Sequence, residues 1–230
     1  MKTSSDSSRK NLYLSMPLYI LAIVPFLLLG YGLNIELSLG YVLLGALGWW
    51  VALLLRMPFI LIINKLTSDM LVRNKYIVGL SGPTEEGVRL VLLLLIGLNF
   101  EHAFLIGVGW AAVEIVYALV QAFALAALKR RTDAKALEAK AMLEKLGMDK
   151  TLDDSAALWG ALERVSASGL HLAFSLLLVV SPWLVIVTVM IHSAVNYAVV
   201  AVNKRSLAGA QALLLGLAAI LLSVALIFAR

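Results

Sequence analysis

No cysteine occurs in the 230 residues, so the chain holds no disulfide, no thiolate metal site and no cysteine nucleophile. Charge is also scarce. Only 14% of the residues are Asp, Glu, Lys or Arg, where soluble domains carry about a quarter. Histidine occurs three times and proline five. In their place stand long apolar runs: 62% of the chain is hydrophobic, with a mean hydropathy of +0.95. These runs are long enough for helices that cross a bilayer. They are continuous rather than alternating, which excludes the β-barrel pattern. The fold class is therefore all-α, a polytopic membrane helical bundle forming a single domain over 1–230. The polar start "MKTSSDSSRK" leads into a span with no small-residue cleavage site after it, so no cleavable signal peptide is expected.

Hydropathy predicts about seven transmembrane helices, near 12–31, 38–58, 76–98, 103–128, 157–180, 183–202 and 207–229. The connections sort by charge. Lys2, Arg9 and Lys10 precede the first span. Arg56, Lys65, Arg73 and Lys75 fall in the second connection, seven Lys/Arg in the fourth, and Lys204 and Arg205 in the sixth. The first, third and fifth connections carry no Lys or Arg. This alternation puts the N-terminus in the cytosol and the C-terminus outside. It also accounts for the formal charge of +5 through cytosolic loops, with no nucleic-acid partner. The fourth connection, about 129–155, is rich in Ala, Leu, Glu and Lys. It reads as a cytosolic amphipathic connector ended by Gly147.

Charges at bilayer depth are costly and mark sites or pairs. Here they concentrate on four consecutive spans. The third has Glu85, Glu86 and Arg89, and the fourth has Glu114. The fifth has Glu163, Arg164 and His171, and the sixth has His192 and Asn196. At about 1.5 Å of rise per residue, Glu86, Glu114, His171 and His192 all lie near mid-membrane. Glu85 and Arg89 are spaced i,i+4 and are expected to pair. His192 and Asn196 share the same spacing and face one cavity. Pro83 is expected to begin a helix whose first turn holds Glu85 and Glu86. Glu163 and Arg164 read as anchors nearer the cytosolic face. Trp110 needs no catalytic role.

The chemistry such a set can perform is water activation. A glutamate serves as general base, with Glu86 or the dyad preferred because Arg89 engages Glu85. His192 and Asn196 can stabilise an oxyanion. Alternatively, His171, His192 and Glu86 form a zinc set, assembled across helices because no HExxH is present. The segment "GLSG", 79–82, matches the GxSG of rhomboid serine proteases, but that reading leaves the glutamates and His171 without a role.

The order "EEGVR" (85–89), "GVGWAAVE" (107–114), "ERVSASGLH" (163–171) and "HSAVN" (192–196) resembles a superfamily of intramembrane proteases. It includes the type II CAAX prenyl endopeptidases, the PrsW proteases and, nearest in motif, the YhfC family. The resemblance implies an endopeptidase of a prokaryotic cell membrane that cuts a membrane-embedded protein or peptide, acting alone, as a homo-oligomer or with a partner subunit. Glu85 or Glu86 would activate water, His192 would be a ligand or oxyanion partner, Asn196 would hold the oxyanion, and His171 would line the cavity. Trp110 stands near the position where CAAX enzymes place a histidine. The topology is also similar to the seven-helix scaffold subunit of γ-secretase, which implies a catalytically silent holder as the alternative. A proton-coupled transporter is the third reading.

Overall fold

A computed structural model describes residues 13, 16–147 and 156–230. Lys2, Arg9, Lys10 and the 148–155 part of the charged connector lie outside the described residues. The elements are α1 (Val24–Gly32), α2 (Leu39–Leu66), α3 (Met70–Gly79), α4 (Ser81–Ile96), α5 (Phe100–Arg130), α6 (Ala134–Lys145), α7 (Ala156–Val180), α8 (Val185–Asn203) and α9 (Leu207–Ala229). No strand is present among the described residues. Five helices are long and apolar enough to cross a membrane: α2, α5, α7, α8 with its leading turn, and α9. The fold is that of an integral membrane protein. The other two apolar stretches are shorter, at Met16–Gly32 and at α4, which has 16 residues.

Two expected boundaries change. The second span does not stop at Pro58 but continues to Leu66 with that proline inside it. In lipid a helix tolerates proline when its neighbours satisfy the freed backbone groups. The third span is divided at Leu80, where α3 ends and α4 begins on a backbone that itself stays helical (φ −68, ψ −18). The ends are fixed locally. Asn99 Oδ1 accepts from the amides of Glu101 and His102 at the start of α5. Asp69 accepts from Leu71 and Val72 at the start of α3, and Ser206 accepts from Gly209 at the start of α9. Each satisfies donors that a helix start leaves open. Beyond α6, Gly147 has φ +68, and Lys140 Nζ ties α6 back to the carbonyls of Lys129 and Arg131 at the end of α5.

The long helices close into a ring. In turn, α2 packs on α5, α5 on α7, α7 on α9, α9 on α8, α8 on α4, and α4 on α2. The apolar core is built mainly from α5 and α7, where Phe104, Ile106, Leu172, Phe174, Leu176 and Leu178 are almost wholly buried. Two close crossings set the ring. At Gly109 of α5 an added Cβ would stand 1.9 Å from the Val42 carbonyl oxygen of α2. At Gly82 of α4 it would stand 2.3 Å from Ser193 Oγ and 2.6 Å from the Val189 carbonyl oxygen of α8. Small residues at such crossings let membrane helices approach backbone to backbone. The second crossing is fastened by polar groups: Ser193 Oγ donates to the Gly79 carbonyl at 3.0 Å, and the Tyr197 hydroxyl donates to the Lys75 carbonyl at 2.6 Å.

Gly109→Val should therefore lower stability by at least about 1–3 kcal/mol, the cost of overpacking a fitted contact. Gly216→Ala, whose Cβ meets nothing within 4 Å, should not. Thermal unfolding in detergent checks both, and equal melting temperatures would show that α2 and α5 do not cross this closely.

Candidate functional site

The ring encloses the polar residues of the four central spans. At the centre is Arg89, wholly buried, as is Glu86. Arg89 Nη1 lies 2.6 Å from both carboxylate oxygens of Glu86. Arg89 Nη2 donates to His171 Nδ1 at 3.1 Å. The guanidinium carbon sits 4.4 Å from the Trp110 ring centroid, a cation–π contact that matters most in a dry site. Arg89 Nε is buried without an acceptor among the described residues.

The expected Glu85–Arg89 pair is not formed. Arg89 pairs with Glu86 at i,i+3, and Glu85 pairs with Arg56. Arg56 and Trp110 stand opposite Glu85 and engage it instead. Because α4 begins at Ser81, Pro83 is already inside its first turn, and Glu85 and Glu86 stand in the second. Adjacent residues on a helix point about 100° apart. Glu86 accordingly turns towards α8, and Glu85 towards α2 and α5, with His171 Nδ1 of α7 4.0 Å from its Oε2. Glu85 Oε2 accepts from the Trp110 indole N–H at 3.0 Å, and Arg56 Nε donates to Thr84 Oγ1 at 3.0 Å.

The two histidines are held differently. His192 Nδ1 lies 2.7 Å from Glu86 Oε1, and its ring stacks on Phe174 with centroids 5.3 Å apart. His192 Nε2 makes no hydrogen bond among the described residues and stands 3.9 Å from Glu85 Oε1. His171 is bonded on both sides, by Arg89 at Nδ1 and by Glu114 at Nε2. Glu114 in turn accepts from Arg164 Nη1 at 3.0 Å, and Arg164 pairs with Glu163. A continuous polar chain thus runs Glu86–Arg89–His171–Glu114–Arg164–Glu163. Its last member is 36% exposed, and its first is fully enclosed.

Beside this chain lies a cavity of about 180 Å³. Its polar wall includes Arg56, Glu85, His171, His192 and Asn196, and its apolar wall includes Phe174, Val195, Val199 and Leu214. Glu114, Glu163 and Arg164 also line it, but Glu86 and Arg89 do not. Asn196 shares it with His192, as the spacing implied, and Nδ2 donates to Ser81 Oγ at 2.6 Å. Ser81 Oγ itself donates to the Val78 carbonyl, so it is not engaged by either imidazole as a serine nucleophile would be.

The residues do not fit a metal. His171 has both ring nitrogens committed, and Glu86 faces a guanidinium. Among the described residues no three His, Asp or Glu side chains gather as a metal-binding group. A fixed cation, Arg89, stands between Glu86 and His171 where the zinc set would need its ion.

Sequence reasoning missed three members. Arg56 was assigned to a connection because the span was ended at Pro58. Trp110, which by sequence needs no catalytic role, donates its indole N–H to Glu85. Thr84 carried no signal. The pattern that could have found Arg56 is the unbroken apolar run from Pro58 to Ile63.

Removing one partner of a buried pair leaves the other uncompensated, at about 3–5 kcal/mol. Arg89→Leu should unfold well below wild type, whereas Arg89→Leu combined with Glu86→Gln should recover part of the loss; strict additivity in thermal melts would show the two side chains do not interact. Comparison with known proteins gives no match to a family model, to a curated protein or to a solved structure, so the chemistry of the site rests on its own geometry.

Proposed function

We propose that the chain is an intramembrane endopeptidase that hydrolyses a peptide bond of a membrane-embedded substrate, with Glu85 activating the water. One observation carries this reading: Glu85 and the open Nε2 of His192, 3.9 Å apart, share one cavity wall with Asn196. Water between them can give a proton to Glu85, which acts as general base, while its oxygen attacks the scissile carbonyl. The carbon–oxygen bond forms and the carbonyl oxygen gains the negative charge. Asn196 and Arg56 supply donors at this cavity that can hold that oxyanion, and His192, whose Nε2 is an acceptor in the resting site, joins them only after taking a proton there. Collapse breaks the carbon–nitrogen bond, and the proton held by Glu85 passes to the leaving amine. Glu86 is assigned to positioning rather than to the base, because it is fully enclosed and bonded to Arg89 and His192. No metal takes part in this scheme. The resemblance of the motif order to that of the YhfC, PrsW and CAAX proteases supports the same reading.

The topology belongs to the proposal too. Met16–Gly32 and the α3–α4 segment are taken as two further crossings, giving seven, in a prokaryotic cell membrane. The N-terminus is cytosolic and Arg230 lies outside. Lys65, Arg73, Lys75, Lys129, Arg130, Lys204 and Arg205 then share the cytosolic side, as the positive-inside rule requires.

A second reading, the silent scaffold, is favoured by one observation: each carboxylate of the cluster already has a guanidinium or imidazole partner. Cleavage separates the two. In proteoliposomes carrying a panel of single-span peptides, the wild type should cut at least one. Glu85→Gln and His192→Gln should stay folded and stop cutting, and Asn196→Ala should slow it by about 10²–10³, the scale of one lost oxyanion donor. A folded wild type that cuts none, and whose variants lose a partner subunit instead, would establish the scaffold. Full activity in Glu85→Gln would overturn the assignment of the base.

A further inference from the structure

The two buried histidines look alike in sequence, each a lone imidazole on an apolar span. Their hydrogen bonds make them different. An arginine side chain has only donors. His171 Nδ1 faces Arg89 Nη2 at 3.1 Å, so Nδ1 must accept and carries no proton. His171 Nε2 faces Glu114, an acceptor already oriented by Arg164, so Nε2 carries the proton and donates. His192 is the reverse. Arg89 Nη1 already donates to both oxygens of Glu86, so Glu86 Oε1 accepts, and the His192 nitrogen beside it, Nδ1, carries the proton. Nε2 of His192, a residue that lines the cavity, has no hydrogen-bond partner among the described residues and stands 3.9 Å from Glu85 Oε1.

We infer that Arg89 fixes the two imidazoles as opposite tautomers, His171 as a neutral Nε2–H link and His192 as an Nδ1–H ring whose Nε2 is the single open imidazole nitrogen of the cavity. His171 is then a positioning residue that cannot take a second proton without losing Arg89. His192 is the histidine that exchanges protons with the cavity.

Charge balance within the cluster points the same way. Arg56, Arg89 and Arg164 face Glu85, Glu86, Glu114 and Glu163, which leaves one negative charge. One added proton neutralises it, and His192 Nε2 is the imidazole nitrogen free to accept it. The groups around His192 agree with this placing; α3 meets α8 lower down, through the Lys75 carbonyl and the Tyr197 hydroxyl. From α4 come Glu85, Glu86 and Arg89, and from α7 come Phe174 and His171, whose own nitrogens are committed. From α2, Arg56 reaches the region through Glu85. From α9 the cavity receives the apolar Leu214. The inference describes the resting site and holds whether or not the chain cuts peptides.

The test is two-bond nitrogen–proton correlation spectroscopy of wild-type protein, labelled with 15N-histidine in bicelles, from about pH 5 to pH 9, the range across which histidine changes charge. His102→Gln and His192→Gln assign the three rings. One ring, His171, should show the Nε2–H pattern. Another, His192, should show Nδ1–H at high pH and lose its unprotonated-nitrogen signal at Nε2 as the pH falls. Glu114→Gln should leave the His171 tautomer unchanged, because Arg89 sets it. An Nδ1–H His171, an Nε2–H His192, or a tautomer that switches in Glu114→Gln would each overturn the inference. Should that variant fail to fold, the wild-type spectrum decides alone.

Discussion

The structure depends on keeping one guanidinium, that of Arg89, out of contact with both water and lipid. A lone charge in so dry a place would be prohibitive. The cost is offset from three directions at once, by two carboxylate oxygens of Glu86, by an imidazole nitrogen of His171 and by the face of Trp110. These partners come from α4, α7 and α5. Glu86 passes the constraint on to α8 through His192, and Trp110 passes it to Glu85 and so to Arg56 of α2. One buried cation therefore fixes the relative positions of five helices. Hydrogen bonds to such a group are stronger than neutral ones, and they specify geometry that van der Waals packing of Leu against Leu in lipid would leave loose.

This arrangement divides the polar cluster into an enclosed half and an open half. Glu86 and Arg89 have no exposed surface and do not reach the cavity. Glu85, His192, Asn196 and Arg56 do reach it. The enclosed half does work that needs rigidity: it sets tautomers and aims the His192 ring. The open half has what reactivity or ligand exchange needs, an available nitrogen beside a carboxylate and space for small polar molecules. The adjacent glutamates, chemically identical, differ because one residue's rotation on a helix turns one into the bundle and the other towards its inner space.

The helical class and the set of participating residues were legible because lipid leaves a simple record: apolar runs of span length, with polar residues only where they are needed. Glu85, Glu86, Arg89, Glu114, His171 and His192 meet in space as their joint concentration on consecutive spans implied. The pairing was not legible. It turned on the side chains, Arg56 and Trp110, that α2 and α5 set opposite Glu85, which spacing along α4 does not show. Arg56 was hidden by Pro58, which stops helices in water but not inside a lipid-embedded bundle. Trp110 was hidden because a tryptophan in an apolar span looks like packing, and its N–H matters only once Glu85 is beside it. Which glutamate faces the cavity is a three-dimensional fact that spacing alone leaves open.

The central claim is that Glu85 with His192 Nε2 forms the wet, working side of the cluster and Glu86 with Arg89 the dry, holding side. An experimental structure in lipid that resolves ordered water measures this most directly. The account predicts a water within hydrogen-bond reach of both Glu85 and His192 Nε2, and none at the Glu86 carboxylate. A water on Glu86, or a metal ion ligated jointly by Glu86, His171 and His192 with Arg89 displaced, would contradict it.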